Sequence, residues 1–320
     1  MLNRFEVAGF RVDCVARSSI RLPEYAGSTL RGAFGRAFRG VACVTRSRTC
    51  EECLLRTTCV YAYVFETPPT AEDGMLSKGV AAPHPFVIEP PAQGGSVEPG
   101  TAFSFGFTLI GRGVDFLPYL VYTFQKMGER GLGRGRGQFE VQRVVDRLHE
   151  HAPIIYSGAD GVLHNDFHRA GFDQFAEAAR LRASERRVTL HLRTPLRLRF
   201  ERRLVDRLEF HVLMRNVLRR ISLLSQFHCG ENLNVDYQGF IQQAQEVEVV
   251  EDGTQWWDWE RYSARQGGKM KLGGLVGHIT FEGDLEPFWP FLLMGEVIHV
   301  GKGTSFGLGK YIITEKGGGG

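Results

Sequence analysis

The sequence has no run of apolar residues long enough to cross a bilayer and no secretory leader, so a cytoplasmic protein without membrane contact is expected. It also lacks an excess of either charge. The 39 basic residues face 36 acidic ones for a net +3, which excludes a general basic field over the surface. Lysine is scarce, 7 residues against 32 arginines. Arginine offers a planar fork of donors suited to phosphates and base edges. Cysteine is sparse except in one place, because four of the six fall between positions 43 and 59. What is present is an ordinary globular composition, 43% hydrophobic and 23% charged over 320 residues, with room for two domains that each bury a core.

The most informative stretch lies near the end, from Glu286 to Tyr311. It reads as a short apolar helix, a glycine-rich loop bordered by Lys302 and Lys310, and a closing strand. Gly301, Gly303, Gly307 and Gly309 mark tight turns or close approaches, and a basic glycine loop after a helix suits a phosphate backbone. The same arrangement occurs twice. A gapless shift of 172 positions lays Phe116, Pro118, Tyr119 and Leu120 on Phe288, Pro290, Phe291 and Leu292, and Gly131, Gly135 and Gly137 on Gly303, Gly307 and Gly309. The first copy carries Arg134 and Arg136 inside its loop.

In chain order, residues 3–17 alternate as a half-buried strand. Ser28 or Thr29 is placed to cap a helix over Leu30–Arg39, with Leu30, Phe34 and Phe38 on one stripe. Gly32 and Gly35 weaken that helix in isolation and point to a close neighbour. Cys43, Cys50, Cys53 and Cys59 follow. Their clustering in an intracellular chain favours a metal site over disulfides, either structural zinc or an iron–sulfur cluster, with unmetallated thiols as the remaining alternative. Strands are predicted over 60–65, 84–89 and 101–110, a helix over 115–126, and a closing strand over 138–146. Residues 149–185 read as a linker region. A strand over 187–200, a helix over Asp206–Leu224, a hairpin between 256–263 and 273–283, and the second helix, loop and strand complete the chain. The predicted fold class is α+β: two tandem ferredoxin-like (RRM-like) domains with glycine-rich loops, at 1–148 and 186–316, plus a small four-cysteine metal-binding insertion at 43–59. Residues 317–320 read as a flexible tail.

Two such domains with these loops resemble the RAMP superfamily of CRISPR-associated RNA-binding proteins. Arg261–Gln266, Gly273-Gly274, Gly277 and His299–Tyr311 are similar to the C-terminal domain of the CRISPR repeat-processing endoribonuclease family. Leu30-Arg-Gly-Ala-Phe34, the four cysteines and Val64-Phe65-Glu66 resemble one branch of it. The resemblance implies binding of CRISPR repeat RNA and cleavage of the precursor CRISPR RNA. The implied reaction needs no catalytic metal: the 2′-OH attacks the adjacent phosphate, leaving a 2′,3′-cyclic phosphate and a 5′-OH. It also implies other CRISPR-associated effector subunits as candidate partners.

Family enzymes often draw a histidine, with a tyrosine, lysine or arginine, from the region of the first helix. Here no histidine lies in that part of the sequence. The matching positions supply Tyr25, Arg31 and Arg36, with His211 as a histidine from elsewhere and His299 as a second, which could instead simply hold its loop. Expected RNA contacts are Arg39, Arg134, Arg136, Lys302, Lys310 and the four glycines of the second loop. A RAMP subunit that binds repeat-derived RNA without cutting it is the alternative, and a zinc-bearing adaptor a third reading.

Overall fold

The computed structural model describes residues 2–46, 49–67, 82–92, 94–263 and 268–314, with the backbone alone for 260–263 and 268–271. The 317–320 run, residues 264–266 of the Arg261–Gln266 motif and most of the 66–83 loop lie outside the described residues. The chain forms two compact units. One comprises residues 4–170 with 223–230, and the other residues 1–3, 171–222 and 231 onward.

In the first unit the four main strands are Glu6–Ala16, Phe86–Glu89, Ala102–Ile110 and Phe139–Asp146, with helices α1 (Gly27–Ala42) and α2 (Leu117–Arg130) between them. The sheet runs 86–89, 102–110, 6–16, 139–146, antiparallel throughout. In sequence order this is second, third, first, fourth, the ferredoxin-like plan. The helices cover one face of the sheet because their aromatic stripes must leave water. Phe34 and Phe38 of α1 stack with centroids 5.3 Å apart, and Phe34 also meets Phe86, Phe107 and Phe124. All five rings are fully buried, each contributing roughly 1.5–3 kcal/mol by leaving water.

The second unit repeats the plan. Its strands are Arg187–Leu196, Glu248–Trp257, Gly274–Glu282 and Tyr311–Ile313. They are ordered 248–257, 274–282, 187–196, 311–313. Helix α3 (Phe172–Arg180) precedes them, and α4 (Phe210–Leu224), α5 (Tyr237–Gln245) and α6 (Trp289–Ile298) follow the first strand. The internal repeat holds to the residue: strand 102–110 shifted by 172 positions is strand 274–282, and the starts of α2 and strand 139–146 become those of α6 and strand 311–313.

Several local expectations change. Helix α1 begins a turn earlier than Ser28 or Thr29 would set it, with Ala26 at the N-cap and no side-chain cap, because Leu30 N–H already donates to Ala26 O. Residues 60–65 are not a strand. Ala62–Glu66 is a π-helical turn in which Thr67 N–H reaches Ala62 O, so Tyr61 and Phe65 stack on one side instead of alternating. The 256–263 arm divides, its first residues ending strand 248–257 and the rest pairing locally with 268–271. Residues 149–185 hold strand Ile154–Ser157, which pairs with 139–146, and α3.

Candidate functional site

Helix α1 places Arg31 one turn from its start, half-buried. Gly35, one turn further on, admits Phe65, since a Cβ there would stand 2.3 Å from the Phe65 ring. Phe65 in turn carries the Arg31 guanidinium 4.4 Å above its centroid. Against this platform stands a histidine that sequence spacing concealed. His84 stacks on Phe65 and Phe86, and its Nε2 lies 2.9 Å from Arg31 Nη2. Its Nδ1 lies 3.1 Å from Thr67 Oγ1, which donates to Tyr63 O.

The donor inventory fixes the protonation of this network. A guanidinium has only donors, so Nε2 accepts. The Thr67 proton is committed to Tyr63 O, so Nδ1 carries the imidazole proton and donates to Thr67 Oγ1. His84 is therefore held as the neutral Nδ1–H tautomer, its basic nitrogen facing a cation. A second pair adjoins the same segment. His228 Nε2 donates to Pro83 O, leaving Nδ1 to accept from Tyr63 Oη at 2.9 Å. Burial pushes the Tyr63 phenol well up, so it stays protonated.

The sequence-derived candidates are spread differently. Tyr25 is buried, and burial with the nearby Glu89 carboxylate drives its phenol far above its ordinary value. Arg36 is exposed, its backbone oxygen accepting from Arg130. Arg39 faces the Tyr61 ring at 6.0 Å and reaches Cys43. Cys43, Cys50, Cys53 and Cys59 line one cavity together. Burial raises the Cys43 thiol, but hydrogen bonds from the Arg46 backbone, Thr45 and Arg39 lower it overall. His211 belongs to the other unit, where it bonds Glu209 at 2.8 Å and meets Phe200 edge-on. His299 is fully buried and donates from Nδ1 to Leu308 O at 3.2 Å, holding its loop.

The glycines of both loops serve the chain's own backbone first. Gly131 and its counterpart Gly303 have φ of +83° and +81°, and Gly135 and Gly307 have +91° and +84°. A Cβ on Gly309 would stand 1.8 Å from Val300 O, and one on Gly301 would crowd Arg197 O. The first loop leaves Arg134 and Arg136 exposed, with Arg136 in the left-handed region at φ +54°. In the second loop Lys302 N–H donates to Arg197 O, and the exposed Lys302 ammonium is lowered from its ordinary value by desolvation, then by Arg199 and Arg219. Three cations share that corner of the second unit, an arrangement suited to a polyanion. Arg199 and Arg219 were not among the expected RNA contacts because their proximity to Lys302 comes from tertiary folding. Lys310 is half-buried, its N–H donating to Thr194 Oγ1.

A family model described as CRISPR-associated endoribonuclease Cas6 matches residues 190–311, and an N-terminal-domain model, AF_1859_N, matches residues 5–167. Residues 190–311 thus belong to the Cas6 family. Similar solved structures include a Thermus thermophilus Cas6, 14% identical over 97% of this chain and 99% of that chain with TM-score 0.57. A second, described as a Cas6 product complex, is 17% identical over 97% and 100% with TM-score 0.54. A partial Cas6-RT-Cas1--Cas2 complex is 12% identical over 100% of this chain and 48% of that chain with TM-score 0.59. At these identities the likeness establishes a common fold, tandem ferredoxin-like domains. No curated protein sequence matches the chain. Within the Cas6 frame, the His84–Arg31 pair supplies a histidine beside the first helix from 53 positions away in sequence.

Proposed function

We propose that this chain binds CRISPR repeat RNA and cleaves precursor CRISPR RNA within the repeats by attack of a ribose 2′-OH on the adjacent phosphate. The observation that carries the reading is the contact between Arg31 of helix α1 and a neutral His84. An arriving phosphate draws the guanidinium away from the imidazole, freeing the Nε2 lone pair. Nε2 then takes the 2′-proton, the 2′-oxygen bonds to phosphorus, and Arg31 steadies the charge on the phosphorane. The P–O5′ bond breaks, the 5′-oxygen takes a proton from water, and the products are a 2′,3′-cyclic phosphate and a 5′-OH. Lys302, Arg199 and Arg219 hold the RNA backbone, as do Arg134 and Arg136 on their exposed loop.

The test is labelled repeat RNA incubated with the protein in EDTA. Wild type yields the cyclic phosphate, while His84→Ala retains the RNA uncut. Tight binding without product by the wild type would establish a non-catalytic RNA-binding subunit instead. Failure to bind at low salt, where phosphate contacts are strongest, would end the RNA reading altogether.

A further inference from the structure

The segment between helix α1 and the π-helical turn has little that holds it folded. Val44 is 77% exposed and Leu54 98%, so these two side chains add almost no apolar burial, and Cys50, Cys59 and Val60 are the partly buried residues of the segment that pack against the core. Its order comes from short backbone turns: Cys53 N–H to Cys50 O, Arg56 N–H to Cys53 O, and Cys59 N–H to Leu55 O. Yet the fold delivers all four cysteines of the segment to the wall of one cavity of about 180 Å³. We propose that Cys43, Cys50, Cys53 and Cys59 bind one zinc ion as a structural tetrathiolate site.

Three observations support zinc. The Cys50–Cys53 pair closes a turn with the two-residue spacing of structural zinc ligands. The full pattern, with six, two and five residues between successive cysteines, matches neither common ferredoxin spacing. A zinc tetrathiolate carries two negative charges, and cations stand ready for them: Arg39 bonds Cys43, and Arg56 lines the cavity. Among the described residues no three such side chains already meet at ligand distance. Thr45 Oγ1 touches Cys53 Sγ at 3.4 Å and Cys43 Sγ at 4.0 Å, so the thiols surround the cavity and binding draws them inward. Each thiol gives its proton to solvent as the metal enters.

The site has consequences for its neighbours. Cys43 is the C-cap of α1, and Cys59 O accepts from Tyr63 N–H at the start of the turn that carries Phe65 and Thr67. Zinc would tie the C-terminal end of α1 to the start of that turn.

The experiment uses the full chain, purified under reducing conditions after growth with added zinc, and elemental analysis. About one zinc per chain is expected, falling at least tenfold in Cys50→Ser/Cys53→Ser and unchanged in Cys14→Ser, whose thiol is in the core. Since the double variant could fail to fold, the wild type is also stripped and titrated with cobalt. One equivalent should give the intense visible bands of tetrahedral cobalt and thiolate-to-cobalt charge transfer. Less than a tenth of an equivalent of zinc, iron with acid-labile sulfide, zinc retained by the double variant, or cobalt spectra without thiolate charge transfer would each overturn the proposal.

Discussion

His84 Nε2 stands 2.9 Å from Arg31 Nη2, and because guanidinium nitrogens only donate, that ring nitrogen is the unprotonated one. A base and a cation are thus paired before any RNA arrives. Removing the base while leaving the cation is the sharper perturbation. His84→Ala is expected to lower the single-turnover cleavage rate by about 10²- to 10⁴-fold while repeat-RNA affinity changes little. Rates measured at saturating protein, with affinity measured separately, would test this. A rate within threefold of wild type would remove His84 from the chemistry.

Arg31 has a different signature, because it acts on charge that develops late. Arg31→Ala is expected to slow cleavage by about 10²- to 10³-fold. Arg31→Lys should recover only part of the loss, since an ammonium keeps the charge but neither forks onto phosphate nor spreads over the Phe65 ring. Full activity in the lysine variant would mean that position 31 supplies charge alone.

The architecture was legible because its signals are local or repeated. Alternation marked strand 102–110, and the gapless shift of 172 positions predicted a second unit whose strand 274–282 begins and ends at the shifted positions. The π-helical turn at Ala62–Glu66 was not legible, since a run of Tyr, Val and Phe carries the propensities of a strand and only tertiary packing makes it helical. His84 was missed for a related reason. It reaches Arg31 only because the short strand Phe86–Glu89 pairs with 102–110 and returns the chain to α1. The Lys302 neighbours Arg199 and Arg219 were likewise not among the expected RNA contacts, as they come from separate elements.

The two glycines of α1 look alike in sequence and differ in the fold. A Cβ on Gly32 would meet only the Arg36 guanidinium at 3.5 Å, an ordinary contact, so Gly32→Ala is expected to stabilise the protein by about 0.5–1 kcal/mol through helix propensity. A Cβ on Gly35 would overlap the Phe65 ring, so Gly35→Ala should destabilise by about 1–3 kcal/mol and displace the platform under Arg31. Urea unfolding would read both, and the same sign for the two variants would contradict this packing.

The cation cluster in the second unit predicts an effect on binding that is independent of sequence. Replacing Lys302, Arg199 or Arg219 by alanine should weaken repeat and unrelated RNA alike. Each removed phosphate contact should flatten the dependence of log affinity on log salt by about 0.7 to 1. Filter binding between low and moderate salt measures the slope. An unchanged slope in the triple variant would place the RNA backbone elsewhere.

Glu296 offers a test in which stability changes with pH. It lies on α6, and burial raises its carboxyl above the ordinary value, opposed by the Ile313 N–H, Arg182 and Lys310. Ile313 N–H donates to Oε1 at 3.3 Å, a bond that a glutamine oxygen also accepts. A carboxyl whose folded value exceeds its unfolded one binds its proton more tightly in the folded state. Its ionised form therefore penalises the fold at neutral pH. That penalty is relieved as pH falls through the raised folded value, and it is gone below the unfolded one near 4.5. Glu296→Gln should accordingly be more stable than wild type at pH 7, with the advantage shrinking as the pH is lowered into the carboxylate range. Paired urea melts across that range would reveal it. A variant less stable at pH 7, or an advantage that grows on acidification, would mean that Arg182 and Lys310 outweigh burial at this site.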